Sequence, residues 1–375
     1  MKIQVLTPQS VKNKAVILKV DFNVPLQDGK IGENTRIVDT IPTIKFLLQN
    51  GAKRINIITH LGRPKGKVMP EFSTKHLLGE LEKNLGEKVE FRSTYTPGNA
   101  RIQLHENVRF FEGETKNDPD FVQKLLQIKG DIFVNDAFGV SHRPHASVLG
   151  ISPYLPAYAG FLLQKEVEHL SPFLAQEKVP GLLVIIGGAK IKTKVNVLKH
   201  FCRTADDIIL GGAIANTFFA TEGYNIGNSL YEEDQIDTAR EVLEMAQKYK
   251  TNIHLPADVV AAESMDSMQI QNLNRNQITQ SLQIFDAGPQ TIKHYRSVVE
   301  NAGTIIWNGP MGVFEKELFS KGTKAITQLV AAHKSEKTIL GGGDTLKALK
   351  QFHPDKSVFT HVSTGGGAML EFLEG

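Results

Sequence analysis

Residues 181–190 read GLLVIIGGAK, a continuous aliphatic run that closes on two glycines and a lysine. A strand with one face in water alternates apolar and polar residues. This one is apolar at every position, as expected of a parallel strand covered on both faces. The design returns downstream in DDIILGGA (206–213), NIHLPADVV (252–260), GTIIWNGP (303–310), KTILGGGD (337–344) and VFTHVSTGGG (358–367). Upstream it occurs in AVILKVDFNV (15–24), RINIITH (54–60), IQLHENV (102–108) and DIFVNDAFG (131–139). Helical patterns fill the intervals. Asp118 and Pro119 read as an N-cap followed by proline at the first helical position, and Thr43 to Asn50 reads as a helix ending against Gly51. Glu232 to Tyr249 carries Ile236, Ala239, Val242, Leu243 and Ala246 at helical spacing. Strands alternating with helices predict βαβ units and doubly wound parallel sheets, an α/β fold.

The chain has 375 residues, enough for two domains that each bury a core. Lys and Arg number 43 against 40 Asp and Glu, a net charge of +3, too balanced for a polyanion-coating protein. A single cysteine, Cys202, excludes a disulfide framework and a cysteine-based zinc site, and fits a reducing compartment; in KHFCRTAD it reads as a packed core thiol. No apolar run reaches the ~20 residues of a membrane span, and MKIQVLTPQS has no signal core, so a cytoplasmic protein is expected. The proline-punctuated stretch around Phe161–Leu170 marks the boundary between domains. The alternative is an ordinary crossover helix within one large sheet.

Ligands of open parallel sheets bind beyond the carboxyl ends of the strands. Here the two halves end their strands with opposite chemistry. The first half supplies Asp21, Asn23, His60, Arg63, Arg109, Asn135, His142, Arg143 and His145, with Arg36 nearby. Guanidinium forks bind carboxylate or phosphate in a bidentate manner, so four arginines from four segments suit a small, highly charged anion. Any one of them alone reads better as a solvated surface charge or half of a salt bridge; the positions of HLGRPKG and HRPH at strand ends shift the reading towards a site. The second half supplies Gly187-Gly188, Gly211-Gly212, Gly341-Gly342-Gly343 and Gly365-Gly366-Gly367. Glycine lets backbone N–H groups approach phosphate oxygens, and a following helix adds its positive end. GGGDT offers a carboxylate for Mg²⁺, and GGAKIKTK offers lysines. Neither G-x-x-x-x-G-K-[ST] nor G-x-G-x-x-G occurs, which argues against a P-loop NTPase and a Rossmann dehydrogenase. An anion site joined to a nucleotide site points to phosphoryl transfer, and no basic run interleaved with aromatics points to nucleic acid.

These residues resemble the phosphoglycerate kinase family. VDFNVPLQDGKI, NTRIVDTIPTIKFLLQNGA, THLGRPKGK, LHENVRFFEGETKND, VNDAFGVSHRPHAS, GGAKIKTK, WNGPMGVFE, GGGDT and STGGGAMLEFLEG follow one another in the family's order. The resemblance implies two similar Rossmann-like domains facing a cleft. Residues 1–160 would hold 3-phosphoglycerate, 161–172 a hinge helix, 173–362 the nucleotide, and 363–375 would return towards the first domain. The implied reaction is glycolytic, from 1,3-bisphosphoglycerate and MgADP to 3-phosphoglycerate and MgATP, by a hinge-bending monomer with Mg²⁺ as cofactor. Asp21, Phe22, Asn23, Arg36, His60, Leu61, Gly62, Arg63, Arg109 and Arg143 look like the substrate site. Lys194, Ala213, Asn308, Glu315, Gly342, Gly343, Asp344 and Thr345 look like the nucleotide site, with Asp344 on the metal. Arg36 and Lys190, with N–H groups at Gly342, Gly365 and Gly366, are the candidates that stabilise the transferring phosphoryl. Four features depart from the pattern. Ala213 stands where a third glycine is expected, Ile284 replaces a glycine beside the base, Thr193 replaces an aspartate, and the sequence reads only to EFLEG (371–375). The runner-up is a relative that keeps the sites but transfers nothing, and its signature, loss of Arg36, Lys190, Lys194 or Asp344, is absent.

Overall fold

The computed structural model describes residues 3–27, 29–174, 177–334 and 337–375. They divide into two compact units, one ending at Glu168 and the other running from His169 to Gly375. Helix Phe161–Leu170 carries the chain from one to the other. No helix among the described residues is long and apolar enough to cross a membrane.

The first unit is built on a six-stranded sheet in the order Glu90–Arg92, Ile102–His105, Arg54–Ile58, Ala15–Val20, Ile132–Asp136, Ala157–Ala159. Every pairing in it is parallel. Ala15–Val20 is buried at all positions, as its unbroken apolar run predicts. On one face Val16, Leu18 and Val20 join Ile37, Ile44 and Leu47 of helix Thr35–Gln49; on the other Ile17 joins Phe121, Leu125 and Phe133. Asp118 caps helix Pro119–Leu126 by accepting the Asp120 N–H, with Pro119 in the first turn as expected.

The second unit has a six-stranded parallel sheet in the order Asn252–His254, Asp207–Leu210, Leu182–Ile186, Thr304–Asn308, Lys337–Gly341, His361–Val362. Numbered along the chain this is 3-2-1-4-5-6, the doubly wound order. Its direction reverses between Leu182–Ile186 and Thr304–Asn308, and a crevice opens at the carboxyl ends of those two strands.

Two elements differ from the sequence reading. The helix read as Thr43 to Asn50 begins at Thr35 and runs through Pro42. Proline removes one backbone donor there, but the apolar stripe Ile37, Ile41, Ile44, Leu48 continues across it, and that burial outweighs the missing bond. The stretch 252–260 is two strands, because Pro256 ends the first. Asp258–Ala262 then leaves the parallel sheet and pairs antiparallel with Gln271–Asn274 and Gln283–Ala287. This small second sheet carries Ile284 and one wall of a cavity in the second unit.

Candidate active site

In the first unit the polar residues at the strand ends are tied to one another. Asp21 follows Ala15–Val20 and ion-pairs with Arg36; its other oxygen lies 3.7 Å from His60 Nε2 and accepts the Asn23 N–H at 3.2 Å. Asn23 Oδ1 in turn accepts the Gly62 N–H at 2.8 Å. The Phe22 N–H donates to Thr59 Oγ1 at 3.0 Å, so VDFNV is fixed at both ends. Asn107 bridges the next two segments: its Nδ2 donates to Leu61 O at 2.7 Å, and its Oδ1 accepts the N–H groups of Leu61 and Arg109. Arg109 itself donates to Gly62 O at 2.8 Å. Gly62 is required here: its φ is +63°, and a Cβ would lie 2.4 Å from the Phe72 ring.

This scaffold presents cations to a cavity of about 550 Å³ lined by Arg63, Arg109 and Arg143, with Lys65, Phe111 and Lys116 beside them. Arg63 and Arg143 are exposed, whereas Arg109 is 9 % exposed. Burial, then the Arg143 charge, weakens the hold of Arg109 on its proton. His60 is held well below the ordinary imidazole range by burial and by Lys19, Arg109 and Arg36, so it is neutral at physiological pH. The site is short of negative charge, which is what an incoming polyanion supplies.

Sequence reading passed over Lys19. It is fully buried in Ala15–Val20, and its Nζ has no hydrogen-bond partner. Burial lowers its pKa, opposed by the Glu114 and Asp21 carboxylates. A lysine inside the run AVILKV, two residues before Asp21, was the available signal. Glu114 is equally buried, 3.5 Å from His145 Nδ1 and bonded to Ser147 Oγ at 2.7 Å.

In the second unit the site forms at the switch point. Lys194 is buried, with Nζ donating to Gly187 O at 2.6 Å and Asn308 O at 3.2 Å, one carbonyl from each strand that flanks the crevice. Burial pulls its pKa down to about 8 against the pull of Asp344. Asn308 Nδ2 donates to Gly341 O at 2.9 Å, and the Gly309 N–H donates to Thr345 Oγ1 at 2.7 Å. Gly212 has φ +64°, and a Cβ there would stand 2.7 Å from Gly188 O. Gly342 and Gly366 precede helices Gly343–Phe352 and Gly367–Leu373, and a Cβ on Gly366 would lie 4.0 Å from the Gly342 α-carbon. Two helix starts and the N–H groups near Gly342, Gly343 and Gly365 thus lie side by side.

A cavity of about 280 Å³ adjoins these turns, lined by Gly188, Ala213, Ile284, Met311, Glu315 and Asp344, with Phe219, Leu230, Pro256 and Val259 along its apolar wall. Ala213 lies in the first turn of helix Gly212–Thr221 and Ile284 in the small sheet, so both departures from the glycine pattern face this pocket. Lys190 is exposed before the short turn Ile191–Thr193 and is not part of the pocket wall. Thr193 Oγ1 only closes that turn, onto Lys190 O at 3.1 Å. Asp344 is exposed at the start of its helix, bonded to Lys347 at 2.7 Å. No cluster of three metal-ligating side chains exists among the described residues. A single carboxylate beside a glycine turn at a helix start would suit Mg²⁺ shared with a phosphate ligand, and does not suit an ion caged by protein alone.

A family model described as phosphoglycerate kinase matches residues 6–375. A phosphoglycerate kinase of Thermosipho africanus is 43% identical over 379 residues, covering 97% of this chain and 93% of its own. That of Moorella thermoacetica is 43% identical over 378 residues, covering 97% and 94%. Among solved structures, phosphoglycerate kinase from Coxiella burnetii superposes with a TM-score of 0.89 at 39% identity, covering 100% of this chain and 96% of that one. The Pyrococcus horikoshii enzyme superposes at 0.82 with 31% identity, covering 99% and 96%.

Proposed function

The chain belongs to the phosphoglycerate kinase family, and we propose that it transfers a phosphoryl group between 1,3-bisphosphoglycerate and MgADP through the residues described above. It is a nucleotide-dependent phosphotransferase of glycolysis with a carboxyl group as acceptor. The observation that supports the residue roles most strongly is the split in chemistry. Arg63, Arg109 and Arg143 converge on one cavity of the first unit, and glycine turns converge on the switch point of the second.

The first unit, residues 1–160 before the hinge helix, holds 3-phosphoglycerate. Asp21, Asn23 and His60 orient it, Arg63, Arg109 and Arg143 neutralise its phosphate, and Arg36 reaches towards its carboxylate. That carboxylate is ionised at neutral pH, so attack on the γ-phosphoryl needs no general base. The barrier lies in crowding negative oxygens together, and catalysis is positioning plus neutralisation. Lys190, Arg36 and the N–H groups near Gly342, Gly365 and Gly366 supply the positive charge. Lys194 and Thr345 brace the turns that hold the nucleotide phosphates, Glu315 takes the ribose, and the apolar wall takes the base. Asp344 would hold Mg²⁺, which when bound neutralises phosphate oxygens.

Reacting atoms must come within ~3–3.5 Å with water excluded, so bending at helix Phe161–Leu170 belongs to the proposal. Small-angle scattering of the protein with both ligands should show contraction. The protein acts as a monomer in the cytoplasm, and light scattering tests the first of these. Calorimetric titration with each ligand separately tests the site assignment. Arg109→Met should lose 3-phosphoglycerate binding and keep MgADP, and Gly212→Ala should do the reverse. Loss of both ligands in both variants contradicts it.

A further inference from the structure

Asp136 closes strand Ile132–Asp136 at the point where the first sheet reverses direction, beside Val20. Its side chain is 1 % exposed and belongs to none of the ligand sites above. Oδ1 accepts the N–H groups of Leu162 at 2.9 Å and Leu163 at 3.1 Å, in the first turn of helix Phe161–Leu170. The preceding N–H, that of Phe161, donates to Thr43 Oγ1 at 3.0 Å. The start of that helix is therefore held by two side chains from two other elements. Gly160 makes this possible, since a Cβ there would fall 2.3 Å from Asp136 Oδ1.

Thr43 is fully buried in helix Thr35–Gln49, which also carries Arg36. Residues seven apart lie two turns on along one face of a helix. The clamp thus grips the helix that presents Arg36 and the helix that carries the chain out of the unit. Oδ2 of Asp136 is buried without a hydrogen-bond partner. An apolar side chain there would leave the Leu162 and Leu163 N–H groups without their acceptor, and a negative charge complements the start of the helix.

We propose that Asp136 and Thr43 form a positioning pair for phosphoryl transfer, setting the start of helix Phe161–Leu170 and, through helix Thr35–Gln49, the guanidinium of Arg36. The inference rests on the reading of Arg36 as part of the transfer site. Neither residue touches a ligand; both act through the elements they hold. An ionised carboxylate makes charge-assisted bonds to the two N–H groups, and protonation weakens them. Burial raises the Asp136 pKa to about 6, with Thr43 and the Leu162 and Leu163 N–H groups opposing. The charged groups on the elements packed around it are Arg36, Asp39 and Lys45 of helix Thr35–Gln49, Lys165, Glu166 and Glu168 of helix Phe161–Leu170, and Lys19 and Asp21 of the neighbouring strand and its end; none is among those leading influences.

The test is steady-state kinetics of the full chain from pH 5.5 to 8.5 for wild type, Asp136→Asn, Thr43→Val, Thr43→Ser and Asp136→Asn/Thr43→Val, with amide exchange at Leu162 and Leu163. Asp136→Asn should fold and lower kcat about 10-fold at neutral pH, leaving both KM values within about 2-fold. The wild type should show an acid limb near pH 6, and Asp136→Asn should lack it. Thr43→Val should lower kcat, Thr43→Ser should restore it, and the double variant should lose less than the product of the single losses. Amide exchange should accelerate in Asp136→Asn whether or not the enzyme turns over. An inactive wild type overturns the reading of the reaction. Accelerated exchange with unchanged kcat and pH profile overturns this inference alone, as does a loss confined to KM. If Asp136→Asn does not fold, the Thr43 pair decides: equal kcat in Thr43→Val and Thr43→Ser overturns it.

Discussion

Lys194 Nζ lies 2.6 Å from Gly187 O and 3.2 Å from Asn308 O, so one buried ammonium ties together the two strand ends that form the switch-point crevice. Dehydration brings its pKa down to about 8 in the ligand-free protein. Nucleotide phosphates add negative charge beside it and restore the ammonium. Nucleotide binding should therefore take up a proton at pH 8–9 and not at pH 6.5. Calorimetry in buffers of different ionisation enthalpy reads this directly, and Lys194→Met should abolish it. Uptake that persists in the variant assigns the proton elsewhere.

Asp286 gives a prediction of stability against pH. It is buried, accepts the Gly322 N–H at 2.7 Å through Oδ2, and has no partner for Oδ1. Burial raises its pKa from 3.8 to about 7. A carboxyl group raised on folding binds its proton more tightly in the folded state. Its contribution is therefore present at low pH and lost as pH rises through about 7. Asp286→Asn keeps the acceptor for Gly322 and cannot ionise. Its stability relative to wild type should improve by on the order of 2–4 kcal/mol between pH 4 and pH 8. Denaturant unfolding at the two pH values checks this, and a pH-independent difference refutes it.

The exposed Lys190 and the cavity-lining Arg63 are assigned different work, so their substitutions should separate kinetically. Lys190→Ala should lower kcat ~100- to 1,000-fold with little change in KM, since it removes charge needed in the transition state. Arg63→Ala should raise the KM for 3-phosphoglycerate and spare kcat. Equal effects of both on KM alone would remove Lys190 from the transfer step.

Backbone conformation makes Gly212 the sharpest structural test of the nucleotide turn. An alanine there must adopt φ +64° and place its Cβ 2.7 Å from Gly188 O, a backbone atom that cannot swing aside. Gly212→Ala should cost about 1–3 kcal/mol of stability and weaken nucleotide binding. Ala213→Gly, in the first turn of the following helix, should cost no more than about 1 kcal/mol. Thermal unfolding of the two variants distinguishes them.

Much of this architecture was legible in residues 181–190 and their repeats, because a strand buried on both faces has to be apolar at every position. The glycines at strand ends and the arginines near 63, 109 and 143 were legible for a related reason. Close backbone approach and anion binding each restrict residue type. What remained hidden depends on distant neighbours. The helix that reads as Thr43 to Asn50 extends back to Thr35, and the packing of Ile37 and Ile41 keeps it intact across Pro42. Asp258–Ala262 reads like another parallel strand, and its antiparallel partners lie well beyond it in sequence. Lys19 and Asp136 sit inside apolar strands, where a charge stands out, but their roles follow from Glu114 and from Leu162 and Leu163, which no local pattern names.

Phosphoryl transfer from MgATP to 3-phosphoglycerate, coupled to reduction of the acyl phosphate and followed for wild type and Lys190→Ala with MgGTP in parallel, is the decisive measurement of whether this protein joins its two sites in one reaction. Wild-type turnover should depend on 3-phosphoglycerate and should nearly vanish in Lys190→Ala. The ratio of rates with ATP and GTP then reports how Ala213 and Ile284 shape the base pocket. Folded wild-type protein that binds both ligands and transfers nothing would contradict the proposed transfer.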